Sequence, residues 1–190
     1  MKEPSGKNVS ISDIIRSRRT IHNFKRSPVP EHKMILKAID LARWAPNHHV
    51  TEPWHFYLLG QETADRICRL NADITRERKS ERAAEIKLNR WRQVPGWLVL
   101  TCMNSDDPIR EREDYAACCC AAQNLMLLLW DEGIGIKWTT GDVTKDDRFY
   151  ELINVERQRE TVVGLFWYGY AEVIPDVKRK PVATALTELP

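Results

Sequence analysis

The sequence predicts an α/β or α+β sandwich around one sheet. Three observations lead there. Four short runs rich in β-branched and aromatic residues, at 56–59, 97–103, 135–139 and 161–170, are bounded by turn residues and read as strands. Segments with helical spacing separate them. Between Tyr115 and Trp130 only Gln123 and Asn124 are polar, so 114–132 reads as a helix apolar on every side, and such a helix is buried. A chain of 190 residues fits one domain, 1–190, and is long enough to bury a real core.

Taken in order, Ser10-Ile11-Ser12-Asp13 has the form of a capping box opening a short helix through Ser17. Pro28 and Pro30 mark a turn, and Pro30 suits a first helical position with Glu31 in the first turn. Met34, Ile35, Ala38, Ile39 and Ala42 recur at helical spacing, and the helix must stop near Trp44 because the residue before Pro46 is pushed out of the helical region. Phe56 to Leu59, ending at Gly60, reads as a buried strand. Residues 62–92 are charged and helix-forming, in two helices with a break expected near Asn71. The strand at 97–103 lies between Pro95-Gly96 and Asn104-Ser105. After the long apolar helix come the strand at 135–139, a short helix from Lys145 to Ile153, and the strand at 161–170. The tail from about Ile174 is rich in Pro and Lys and lacks periodicity, so it is either frayed or an arm that pairs with another chain. Gly133 and Gly135 form a lone G-x-G that precedes a strand instead of following one, so it is no dinucleotide fingerprint.

Composition narrows the function. The chain is 43% hydrophobic and 29% charged, ordinary for a globular protein. A net charge of +2 is too small to argue for nucleic acid or acidic lipid. Basic residues alternate with acidic ones, as in Arg76-Glu77-Arg78-Lys79-Ser80-Glu81-Arg82, which is a solvated helix face. Of five cysteines three are consecutive, Cys118 to Cys120, and neighbours about 100° apart on a helix cannot converge on one metal. They read as small buried thiols in a reducing cytoplasm. Residues 1–10 are polar, with no apolar signal core, so no export is expected. The apolar helix is too short and too closely flanked by acids to span a membrane. A protomer of this size rarely encloses a helix on every side, so this one is expected to sit centrally and against a second subunit.

Arg18-Arg19-Thr20 lies just past the first helix. Arginine forks match phosphate oxygens and the threonine hydroxyl adds a donor, but cations at a helix end also favour its dipole. His48 and His49 sit in a proline-bounded turn and either make ordinary hydrogen bonds or touch a planar ligand; a metal would need a third ligand that the spacing does not offer, so no metal is expected. Asn47 and Glu52 either close the turn or hydrogen-bond a heterocycle edge. Trp138-Thr139-Thr140-Gly141 leaves a strand and either lines a ring-shaped ligand or completes core and turn. No Ser-His-Asp or Cys-His pairing can be assigned, and no catalytic acid or base is named.

These residues resemble a known family. Arg18-Arg19-Thr20-Ile21-His22-Asn23-Phe24 is similar to the Arg-Arg-Ser-x-Arg-x-Phe opening of the FMN-dependent nitroreductases. Ala45-Pro46-Asn47-His48, running on to Glu52-Pro53-Trp54-His55-Phe56, resembles that family's Ala-Pro-Ser/Asp turn ending in Gln-Pro-Trp-x-Phe. Asp114-Tyr115-Ala116, Gln123-Asn124-Leu125 and Gly133-Ile134-Gly135 resemble its central helix and glycine turn, and Arg179-Lys180-Pro181-Val182 its Arg-x-Pro-Leu tail. The short length and the Ala-Pro-Asn-His form are closest to the small, YdjA-like branch.

The resemblance implies an α+β fold with a central, mainly antiparallel sheet flanked by helices, in an intertwined homodimer with FMN at the subunit interface. By position, Arg18, Arg19 and Thr20 of one subunit would contact the phosphate and ribityl chain. Trp44, His48, Trp138, Thr139 and Thr140 of the other would meet the same flavin, and Arg179 is a further phosphate candidate. The implied activity is NAD(P)H-dependent reduction of nitroaromatic, quinone or similar small organic acceptors. Dehalogenation or flavin cleavage, and a dimeric interaction module without cofactor, are the alternatives. Three departures stand out. His22 replaces a basic residue, Thr20 replaces Ser but keeps the hydroxyl, and Glu52 replaces Gln, where a negative charge facing the ring would disfavour its anionic reduced form.

Overall fold

The computed structural model describes residues 10–190; the polar stretch read as lacking an export signal falls almost entirely outside them. Six helices and four strands follow in the order α1 (Ile11–Ser17), α2 (His32–Ala42), β1 (Trp54–Leu58), α3 (Gln61–Arg78), α4 (Glu81–Trp91), β2 (Gly96–Met103), α5 (Pro108–Asp131), β3 (Gly135–Thr139), α6 (Asp147–Leu152) and β4 (Glu160–Gly169). The strands form one sheet in the order β1-β2-β4-β3, antiparallel at every pairing. The fold is α+β, as the resemblance implied.

The two faces of the sheet carry separate cores. On one, α2 and α5 pack through Ile35, Ala38, Leu125 and Leu129 onto Leu98, Leu100, Ile136 and Phe166. On the other, α3, α4 and α6 bring Ile67, Trp91 and Phe149 to Trp97, Val99, Leu165 and Trp167. Trp91, Trp97 and Trp167 form a mutual cluster with ring centroids 5.0–5.6 Å apart. Their offset and edge-on contacts suit the quadrupole of aromatic rings. Burial follows position in the sheet. The central strands β2 and β4 are buried along most of their length, whereas β1 and β3 at the edges are half-exposed. The run at 56–59, expected as a buried strand, is therefore an edge strand, and it begins earlier, at Trp54.

Local chemistry sets the helix ends. The Ser10 hydroxyl accepts from the Asp13 N–H, the cap that the sequence pattern predicts for α1. α2 starts at His32 instead of Pro30, with Glu31 at its N-cap. The break in the charged helical region falls at Lys79 and Ser80, not near Asn71. The Ser80 hydroxyl caps α4 by accepting from Ala83, while Asn71 is buried inside α3. α5 is longer than the apolar run. Asp107 caps it, Pro108 takes the first turn, and charged residues occupy its first turns before the apolar stretch begins. It ends in a Schellman motif. Gly133 adopts φ +74°, its N–H reaches Trp130 O, and the buried Ile134 N–H reaches Leu129 O at 2.7 Å.

The expectation that α5 is enclosed on every side is met on one side only within the protomer. Ala117, Cys118, Ala121, Ala122, Leu125 and Leu129 are buried, but Tyr115, Ala116, Cys120 and Gln123 are exposed, so of the three consecutive thiols expected to be buried only Cys118 is, because the other two turn away from the sheet. Ala116, Cys120 and Gln123 follow i, i+4, i+7 spacing and form one uncovered stripe. No helix among the described residues is long and apolar enough to cross a membrane. After β4 the tail carries one short turn, Val182–Thr184, and exposes Ile174, Val182, Leu186 and Leu189.

Candidate functional site

The strand registers place the start of β1, the end of β2, the start of β4 and the end of β3 at one end of the sheet. The turn at 47–52 and the exit at Thr139 to Gly141 therefore share that end, from opposite edges. The segment after α1 runs beside the free edge of β3, where Thr20 bridges to Ile136 and the Ile21 N–H donates to Ile136 O at 3.1 Å. The approach is close. A Cβ on Gly135 would stand 2.5 Å from the Ile21 side chain.

That edge presents Arg18, Arg19 and, from the tail, Arg179. Together with Ile15, Arg16 and Val177 they line a cleft of about 250 Å³ with no carboxylate in its wall among the described residues. None of these arginines is ion-paired to an acid among the described residues. Burial, with repulsion from Arg179 and Arg19, lowers the pKa of the Arg18 guanidinium. An anion in the cleft would relieve that repulsion, and forked donors suit phosphate. Arg19 also donates to the carbonyls of Arg16 at 2.6 Å and Arg18 at 2.9 Å, so the helix-end reading holds for it as well. Thr20 is exposed.

His22, where the family pattern has a permanent cation, has its pKa lowered by burial and by Lys137 and Arg90. A folded-state pKa below the ordinary histidine value means that the folded chain binds fewer protons than the unfolded chain in that window. The sign is fixed. His22 is neutral at pH 7, and stability falls as pH drops through the ordinary histidine range. Proton-detected NMR titration should place the His22 midpoint below the ordinary histidine value, and a midpoint above that value would contradict the assignment.

Trp138, Thr139 and Thr140 stand at the exit of β3, His48 in the turn before β1, and Trp44 just past α2. Trp138 is half-buried, donates from its indole N–H to Val163 O at 3.0 Å and stacks on Phe166 at 5.4 Å. Only glycine fits beneath it, since a Cβ on Gly164 would lie 2.0 Å from its Nε1. Thr139 is half-buried and Thr140 exposed. Trp44, just past α2, is 81% exposed, a large apolar surface left uncovered by the described residues. His48 stacks on His49 at 3.8 Å and pairs through Nδ1 with Glu113 at 2.8 Å. Three residues of the turn without glycine's freedom, His49, Val50 and Glu52, have φ of +59°, +51° and +46°. Such conformations cost about 1–3 kcal/mol each and persist where the surroundings over-determine them.

Within one chain the structure thus joins Arg18, Arg19 and Arg179. Trp44, His48, Trp138, Thr139 and Thr140 do not line that cleft. Glu113 and Asp114, which hold the turn from α5, escape a reading of the sequence because their partners are far away in the chain. Among the described residues no group of three His, Cys, Asp or Glu is placed to hold a metal. Burial pushes the Cys68 thiol up to about 12, and the Cys102 thiol and burial push Cys118 up further, so neither is a reactive thiolate.

The model of the Nitroreductase family matches residues 15–170, and the chain belongs to that family. A Bacillus subtilis (strain 168) relative named "Putative NAD(P)H nitroreductase YfhC" is 33% identical over 185 residues, 94% of each chain. Among solved structures, the nitroreductase-like family protein from Bacillus cereus superposes with a TM-score of 0.85 at 28% identity, over 96% of this chain and 97% of that one. A nitroreductase from Mycobacterium smegmatis, described as FMN-dependent and solved with NADPH, shares the fold at 16% identity and a TM-score of 0.76, over 94% and 97%.

Proposed function

We propose that this protein is a homodimeric, FMN-dependent oxidoreductase that uses NAD(P)H to reduce nitroaromatic, quinone or similar organic acceptors. The observation that carries the reading is the cleft lined by four arginines, Arg16, Arg18, Arg19 and Arg179, and by no carboxylate among the described residues, in a member of a family whose relative is named for NAD(P)H and nitro reduction. The donor set fits a flavin phosphate. Arg18, Arg19 and Arg179 would hold it, and Thr20 would reach the ribityl chain. Trp44, His48, Trp138, Thr139 and Thr140 would come from the second subunit, brought there by packing of the uncovered α5 stripe and by the tail from about 174 serving as an arm of a single domain. When bound, FMN supplies the redox chemistry by passing electrons between nicotinamide and acceptor. The chain's part is to bind the phosphate, wall the ring with indoles and keep water out. Its free thiols suit a cytoplasmic setting.

The test is an anaerobic titration of FMN-reconstituted protein with NADH and with NADPH, followed at about 450 nm, where oxidised flavin absorbs. Bleaching by at least one nucleotide is expected. A flavin that stays oxidised with both would overturn the reading.

A further inference from the structure

The turn that carries His48 is held from α5 by two adjacent acids. The Asp114 side chain is 6% exposed, and its carboxylate accepts from Thr51 Oγ1 at 2.5 Å and from Asn47 Nδ2 at 3.4 Å. Asn47 closes the same turn from within, its Nδ2 donating to Thr51 Oγ1 at 3.0 Å and its Oδ1 accepting from the Glu52 N–H at 2.7 Å. Glu113, the next residue back along α5, engages Nδ1 of His48, and among the described residues Nε2 has no hydrogen-bond partner. Arg110 approaches Asp114 at 3.6 Å, mostly in solvent.

A buried carboxylate is kept only where it is paired and hydrogen-bonded, and here the close partners are two neutral side chains of one loop. An apolar residue would fill the same space without that desolvation. The clamped backbone is also the strained one, with His49, Val50 and Glu52 in the left-handed region. The carboxylate therefore selects one conformation of a turn that would otherwise relax.

We propose that Asp114 is a positioning residue, fixing the 47–52 turn and so presenting the His48 ring to the flavin held by the partner subunit. This rests on the FMN reading above. The experiment compares Asp114→Ala and Asp114→Asn in the full-length dimer, read by FMN affinity from fluorescence quenching and by the visible spectrum of bound flavin. An asparagine Oδ1 still accepts from Thr51 and alanine accepts nothing. Asp114→Ala should weaken FMN binding by about tenfold or more, the scale of a lost hydrogen bond to a charged group, and shift the long-wavelength flavin band, while Asp114→Asn restores both. Thr51→Val should reproduce the alanine effect in the same direction and add little to it, as coupled sites do. A folded Asp114→Ala dimer with unchanged affinity and spectrum would overturn the proposal, as would an asparagine variant as impaired as the alanine one. Should Asp114→Ala not fold, unchanged flavin binding in Thr51→Val overturns it equally. A wild-type dimer that takes up no FMN would refute the flavin reading itself, and the proposal with it.

Discussion

A chain carrying both Arg18→Gln and Arg19→Gln is expected to lose FMN while its dimer stays intact. The two guanidiniums face a cleft whose other charged walls, among the described residues, are Arg16 and Arg179. Each hydrogen bond to a charged group contributes about 1.5–3 kcal/mol, so removing two should raise the Kd by about 10²–10⁴-fold. Glutamine keeps a donor for the Arg16 carbonyl that Arg19 caps, and α1 buries none of its own residues, so the fold has little to lose. Fluorescence titration of FMN, with light scattering for mass, checks both halves. Flavin held at wild-type affinity would refute the assigned role. Arg179→Gln alone should weaken binding less, since Arg179 is more exposed than Arg18.

The second large effect concerns assembly. Ala116→Asp with Cys120→Asp should convert the dimer to monomers at micromolar concentration. Both positions lie on the uncovered stripe of α5, and in a two-fold dimer each is buried twice. An uncompensated buried charge costs about 3–5 kcal/mol, so two substitutions per chain exceed what an ordinary interface tolerates. Trp130 is the less informative target. It is half-buried inside the protomer, packs with the second core and donates from its indole to Ser17 Oγ at 3.0 Å, so an aspartate there damages α1 packing as well. Analytical ultracentrifugation decides the matter. A double-aspartate chain that still sediments as a dimer would remove α5 from the interface.

The strands and most helices were legible because each carries its own period. Gly135 to Thr139 and Thr161 to Gly169 announce themselves by composition and turn residues. Errors came where a local signal competes with packing. Asn71 looks like a break but sits 3% exposed within α3, and the break is made by Ser80, a cap with no apolar pattern to flag it. α5 starts at Pro108, ahead of its apolar run, because Asp107-Pro108 supplies the cap and first turn to a charged stretch that carries no apolar period. Phe56 to Leu59 looked buried because a short apolar run does not reveal whether its strand lies at an edge. For the candidate site, Arg18-Arg19 was visible as a motif, but its company with Arg179 came only from resemblance, and the grip of Asp114 on Thr51 had no sequence signal at all. Such contacts are made by the sheet order and by α5 crossing it, not by spacing along the chain.

In the proposed assembly two copies enclose FMN, anchored by the arginine cleft. Native mass spectrometry of the purified, FMN-incubated protein tests it directly. The expected species is a dimer carrying two FMN. A monomer with no flavin after reconstitution would contradict it.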